Sequence, residues 1–165
     1  MSIKTMGTLK LLGALSAVAL LAACADKPAT TAAATGTGTT AMAPSIVPGS
    51  EEDLAKNVGD RVFFTFDKAA LSSDSKATLD RQAAWLTKYA SVNVQIAGNC
   101  DERGTEEYNI ALGQRRANAA RDYLVAKGAA SARITTISYG KDRPSVMGSD
   151  ETAWAKNRNA ITSVK

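Results

Sequence analysis

The chain has 165 residues, a formal net charge of +4 and no histidine. The missing histidine excludes Ser-His and Cys-His nucleophile pairs and histidine-based zinc sites, and two well-separated cysteines, Cys24 and Cys100, make no zinc cage. Without Lys4 and Lys10 the +4 falls to +2, too little for a nucleic-acid footprint, so neither nucleic acid nor a metal or other cofactor is expected.

Met1–Lys10 carries Lys4 and Lys10 and no acid, and Leu11–Ala22 is almost wholly apolar. These are the charged and apolar regions of a secretory signal. At ~1.5 Å per residue the apolar run spans roughly 18 Å as a helix, short of the ~30 Å hydrocarbon core. The run closes on Leu21-Ala22-Ala23-Cys24, which resembles the lipobox of bacterial lipoproteins. The resemblance implies a signal peptide over residues 1–23, cleavage before Cys24, acylation of Cys24 and a lipid anchor. In such lipoproteins an aspartate directly after the cysteine favours the inner membrane. Ala25 stands there, so the outer membrane is expected. With Cys24 lipidated, Cys100 has no disulfide partner and reads as a small buried hydrophobe.

Residues 24–57 form the second region. Ala25–Pro48 is Ala, Thr, Gly and Pro with almost no large apolar side chain, a flexible tether spanning roughly 25–30 Å. Glu51–Asn57 can form a short helical turn. A folded domain is expected over residues 58–165. Arg61–Phe66 is aromatic and β-branched and predicts a strand. Ser73 can cap a helix over Asp74–Tyr89, with Thr78, Leu79, Gln82, Trp85, Leu86 and Tyr89 on its apolar face. Val92–Ile96 alternates as a half-buried strand, with Gly98 breaking it. Thr105 caps a second long helix that stops at Gly128. Ile134–Tyr139, Glu151–Arg158 and Ala160–Val164 predict a strand, a short helix and a last strand. The order predicts an α+β two-layer sandwich, a mixed β-sheet with two main helices on one face.

The second long helix holds an arginine in an unusual place. Steps of 100° put Tyr108, Leu112, Ala119, Tyr123 and Ala126 within about 60° of arc, the stripe expected to face the sheet. Arg116 falls at about 80° and Asn109 at about 100°, on the stripe's edge. A guanidinium against an apolar seam needs a carboxylate or hydrogen bonds. Asp101, in the loop before the helix, is the candidate. The two form either a structural ion pair or a pair bracketing a ligand with both charges, such as an amino acid's ammonium and carboxylate. A cleft that admits a zwitterion is expected to leave neither charge fully sealed.

Cys100-Asp101-Glu102-Arg103-Gly104-Thr105, Tyr108-Asn109, Leu112-Gly113, Arg116-Ala117 and Tyr123-Leu124 resemble the signature segment of OmpA-like peptidoglycan-binding domains. Ser138–Pro144 and Trp154–Arg158 are similar to later motifs of that family. The resemblance covers residues 58–165 and implies non-covalent binding of meso-diaminopimelate in the peptidoglycan stem peptide. By position, Asp101 would hold the ammonium and Arg116 the carboxylate. Asn109 would support the site, Phe66 and Asp67 would wall it, and Arg158 would contribute from the last segment. The resemblance also implies a place in the Tol envelope system, which serves envelope integrity and division, with TolB as chief partner. Asn99 stands where the family has histidine, Thr65 where many relatives have aspartate, and Asn159 where a second arginine is usual. The closing segment Ile161–Lys165 is less apolar than the family's.

Other classes fit less well. A glycosidase would need two facing carboxylates. Asp67 and Asp101 are available, but Arg116 beside them would depress both pKa values, wrong for a general acid. No enzyme is expected. A periplasmic protein-docking module with Asp101–Arg116 as a structural pair is the alternative. Arg103, Arg115 and Arg121 read as solvated, and Trp85 and Trp154 as packing residues.

Overall fold

The computed structural model describes residues 45–165. The expected signal, Cys24 and the tether up to residue 44 lie outside the described residues. No helix of the described residues is long and apolar enough to cross a membrane.

The order of elements is α1 (Glu51–Asp53), β1 (Arg61–Phe63), α2 (Ser73–Lys88), β2 (Val94–Asn99), α3 (Glu106–Ala126), β3 (Ile134–Gly140), α4 (Glu151–Asn157) and β4 (Asn159–Val164). The sheet runs β1-β4-β2-β3. β4 is antiparallel to both β1 and β2, while β2 and β3 are parallel and joined by α3 as the crossover. This is the expected mixed sheet in an α+β sandwich. Val62, Val94, Ile96, Ile134 and Ala160 from the sheet meet Leu79, Trp85 and Leu86 of α2 and Ala117, Ala120 and Leu124 of α3. Burying each large aliphatic among them contributes ~1.5–3 kcal/mol.

The capping side chains stop and start the helices as expected, with one shift. Ser72, not Ser73, caps α2, its hydroxyl accepting from the Ser75 amide at 3.1 Å. Thr105 caps α3 through the Tyr108 amide. The first strand is shorter than predicted. It ends at Phe63, although the Phe64 amide still donates to the Arg158 carbonyl at 2.9 Å.

Gly98 does not break β2, which runs through it to Asn99. A Cβ on Gly98 would stand 1.8 Å from the Gly113 carbonyl oxygen, and one on Gly113 would stand 2.3 Å from Ser138 Oγ. The two glycines let the α3 backbone lie directly on the strand. That contact fixes the buried row of α3 as Asn109, Leu112, Gly113, Arg116, Ala117, Ala120 and Leu124. Tyr108, expected to face the sheet, is 45% exposed, and Arg116 lies in the middle of the buried row rather than at its edge.

Residues 49–57, placed with the tether in the region 24–57 and expected to hold a short helical turn, fold onto the domain. Leu54 is fully buried in the core, and a single π turn over Leu54–Val58 carries α1 towards β1. The Asp53 carboxylate accepts from the Gly49 amide at 2.8 Å, Asn57 Nδ2 at 2.8 Å and the Trp85 indole at 2.9 Å.

Candidate functional site

Arg116 is 0% exposed, so its charge is sealed far more than a ligand-admitting pair was expected to be. Among the described residues no ion pair compensates it. Backbone carbonyls do. Nε donates to Lys68 O at 2.9 Å, Nη1 to Asn99 O at 2.8 Å and Nη2 to Thr65 O at 3.2 Å. Nη1 also points at Cys100 Sγ, 3.4 Å away, and the guanidinium carbon lies 5.2 Å from the Phe64 ring centroid. These contacts occupy four of the five guanidinium N–H groups, leaving one Nη2–H without a protein acceptor among the described residues. Burial lowers the Arg116 pKa from its usual value, but guanidinium remains charged.

Asp101 is not Arg116's partner. Its Oδ1 accepts from the Arg103 amide and Nε, both at 3.2 Å, and its Oδ2 accepts from Arg103 Nη2 at 2.6 Å and Arg158 Nη1 at 3.2 Å. The Asp101–Arg116 structural pair is therefore absent. Burial alone would push the Asp101 carboxyl up; the Arg103 and Arg158 bonds outweigh it and hold the group below the ordinary carboxylate range. Arg103 is not simply solvated either. Its guanidinium packs against two aromatic rings, 4.1 Å from the Phe66 centroid and 4.0 Å from that of Trp154.

Asp101 and Arg116 nevertheless line one cleft of about 200 Å³, between the loop carrying Phe66 and Asp67, the turn after β2 and the first turns of α3. Asp67 takes a left-handed backbone, φ 57°, and accepts from the Tyr108 hydroxyl. Asn109 is 2% exposed and spends its Nδ2 on the Arg103 and Thr105 carbonyls at 2.8 and 3.0 Å, which fastens the turn that carries Asp101. Arg158 lies behind Asp101 and outside the lining. It is 6% exposed and reaches Phe64 O at 3.1 Å and Glu151 at 2.6 Å. Cys100 is buried, which pushes its thiol pKa up. Sequence reasoning missed Arg103 and Tyr108 as lining residues. The rings against Arg103 come from positions distant in the chain, so no local pattern announces them. Among the described residues no group of three or more carboxylates or cysteines could hold a metal ion.

A loop, a turn and a helix thus converge on a small charged cleft at one end of the mixed sheet. The OmpA family model matches residues 63–158, and the chain belongs to the OmpA family. Within that family it is similar to peptidoglycan-associated lipoproteins. The one from Rhizobium meliloti is 50% identical over 142 residues, covering 86% of this chain and 80% of that protein. The one from Mesorhizobium japonicum is 47% identical over 155 residues, covering 92% and 89%. The crystal structure of the peptidoglycan-associated lipoprotein from Burkholderia pseudomallei superposes with a TM-score of 0.64 at 36% identity, over 68% of this chain and all of that one.

Proposed function

We propose that the chain anchors the outer membrane to peptidoglycan, non-catalytically, and that the cleft takes the side-chain end of meso-diaminopimelate. The observation that carries this is the co-location of a buried carboxylate, Asp101, with a buried guanidinium, Arg116, that keeps one N–H unspent. That end of diaminopimelate carries an ammonium and a carboxylate on one carbon. Asp101 would take the ammonium and Arg116 the carboxylate. Phe66 and Asp67 would wall the ligand, while Asn109 and Arg158 would hold Asp101 in place. The names of the relatives support wall association. The lipid anchor at Cys24 and a TolB partnership rest on resemblance alone. Fractionation of a Cys24→Ser strain and a pull-down on purified TolB check each.

The decisive experiment is co-sedimentation with purified walls. Walls with lysine in place of diaminopimelate keep the ammonium and lose the carboxylate, leaving the Arg116 N–H unmet. Retention should fall by about tenfold or more. Equal retention on both wall types overturns the proposal.

A further inference from the structure

Asp101 has no acceptor capacity left for an incoming ammonium. A carboxylate offers about four lone-pair sites. The Arg103 amide, Nε and Nη2 fill three of them and Arg158 Nη1 the fourth. The two arginines are not equally fixed. The Arg158 side chain is 7% exposed and also satisfies the Phe64 carbonyl, so its departure would strand a buried acceptor. The Arg103 side chain is 32% exposed, and among the described residues its guanidinium meets, beyond Asp101, the faces of Phe66 and Trp154 and, at 3.9 Å, the exposed Glu151. Swinging it outward returns the charge to water and strands no backbone group.

We propose that Arg103 is a resident cation seated where the ligand's ammonium must go, and that it sets the specificity of the cleft. This rests on the wall-binding function above for the identity of the ligand. A ligand binds Asp101 only by displacing the Arg103 side chain, so it must bring a free ammonium of its own. A neutral or acylated nitrogen offers the carboxylate less than the guanidinium already does, and Arg103 keeps the seat. Displacement also uncovers the Phe66 and Trp154 rings, which can then pack on the ligand's methylene chain. The resident cation lowers apparent affinity for the right ligand and lowers it further for the wrong one.

The test uses free meso-diaminopimelate and purified walls as probes, with the wild type, Arg103→Gln, Arg103→Lys and Asp101→Asn. Arg103→Gln removes the competitor, and its affinity for meso-diaminopimelate should rise by about tenfold. Arg103→Lys keeps a charge without the fork and should rise by about threefold, which covers the case in which the glutamine variant does not fold. Binding should change the tryptophan emission of the wild type, because the guanidinium leaves the Trp154 indole, and should leave that of Trp154→Phe, which reports the buried Trp85 alone, unchanged. Affinity of folded Arg103→Gln or Arg103→Lys that is unchanged or weaker overturns the resident cation. If Asp101→Asn still loses wall binding, the wall site survives that result. Wild-type wall binding by Asp101→Asn would instead overturn the wall site itself.

Discussion

Arg116 Nε donates to the Lys68 carbonyl across 2.9 Å, so a charged residue in the middle of α3 holds a loop 48 positions earlier in the chain. Thr65 and Asn99 carbonyls are held by the same side chain. Arg116 thus staples the loop carrying Phe66 and Asp67 to the end of β2, besides facing the cleft. Truncation strands these carbonyls in buried surroundings. Arg116→Ala should cost roughly 3–5 kcal/mol of stability, read from denaturant midpoints. Arg116→Lys should recover less than half, because an ammonium cannot span the fork. A loss below about 1 kcal/mol for the alanine variant would contradict the stapling role.

The Gly98–Gly113 contact permits no side chain. Gly98→Ala places a methyl 1.8 Å from a backbone oxygen, where neither partner can rotate away. The cost should reach about 3 kcal/mol or more and separate α3 from β2. Gly128→Ala is the control. Its φ is +99° with nothing within 4 Å of an added Cβ, so only backbone strain of ~1 kcal/mol is expected. Thermal midpoints should rank the two variants in that order.

Asp53 makes stability depend on acid. The Gly49 amide, the Asn57 amide group and the Trp85 indole hold its carboxyl at about 2, below the ordinary 3.8. A folded value below the unfolded one means the ionised group stabilises the fold fully above pH 3.8. That contribution is lost as pH falls through about 2. Asp53→Asn should therefore be less stable than wild type at neutral pH, with the gap closing between pH 4 and 2. A gap of constant size across that window would show that the charge contributes nothing.

The Cys100 thiol should be inert in the folded chain. It is 3% exposed, burial raises its pKa, and Sγ is engaged with the Asn109 carbonyl at 3.4 Å. Iodoacetamide should label it only after denaturant is added. Rapid labelling in native buffer would show that the turn after β2 opens.

The alternation of periods along the chain made the element order and sheet composition legible, because strands and helices carry different apolar spacings. The rotation of α3 was not. Counting Tyr108 and Tyr123 as core residues turns the expected stripe towards them, yet the row against the sheet includes Gly113, Ala117 and Ala120, which fit where backbones touch. Asp101 and Arg116 stood out as charges near an apolar seam and do line one cleft. Their immediate partners were hidden. Arg116 is satisfied by carbonyls, which carry no sequence signature, and Arg103, which holds Asp101, packs against rings at Phe66 and Trp154. Leu54 was hidden because two large apolar residues, Leu54 and Val58, in so short a stretch set no period.

The clip at residues 49–58 has a mechanical meaning. Tension arriving along the chain ahead of residue 49 meets the Asp53–Trp85 bond and the Leu54 packing before it meets the β1–β4 ladder. Those contacts should yield one after another, as in peeling, while the cleft lies beyond them between the strand ends and α3. The segment can pay out about ten residues, roughly 35 Å of extended chain, before the sheet is strained. On the proposed anchoring function, this segment would lengthen first and let the distance between membrane and wall fluctuate while the cleft stays folded. Force–extension traces pulled from residue 45 should show a short first lengthening ahead of the main unfolding step, and Leu54→Ala should lower the force at which it begins.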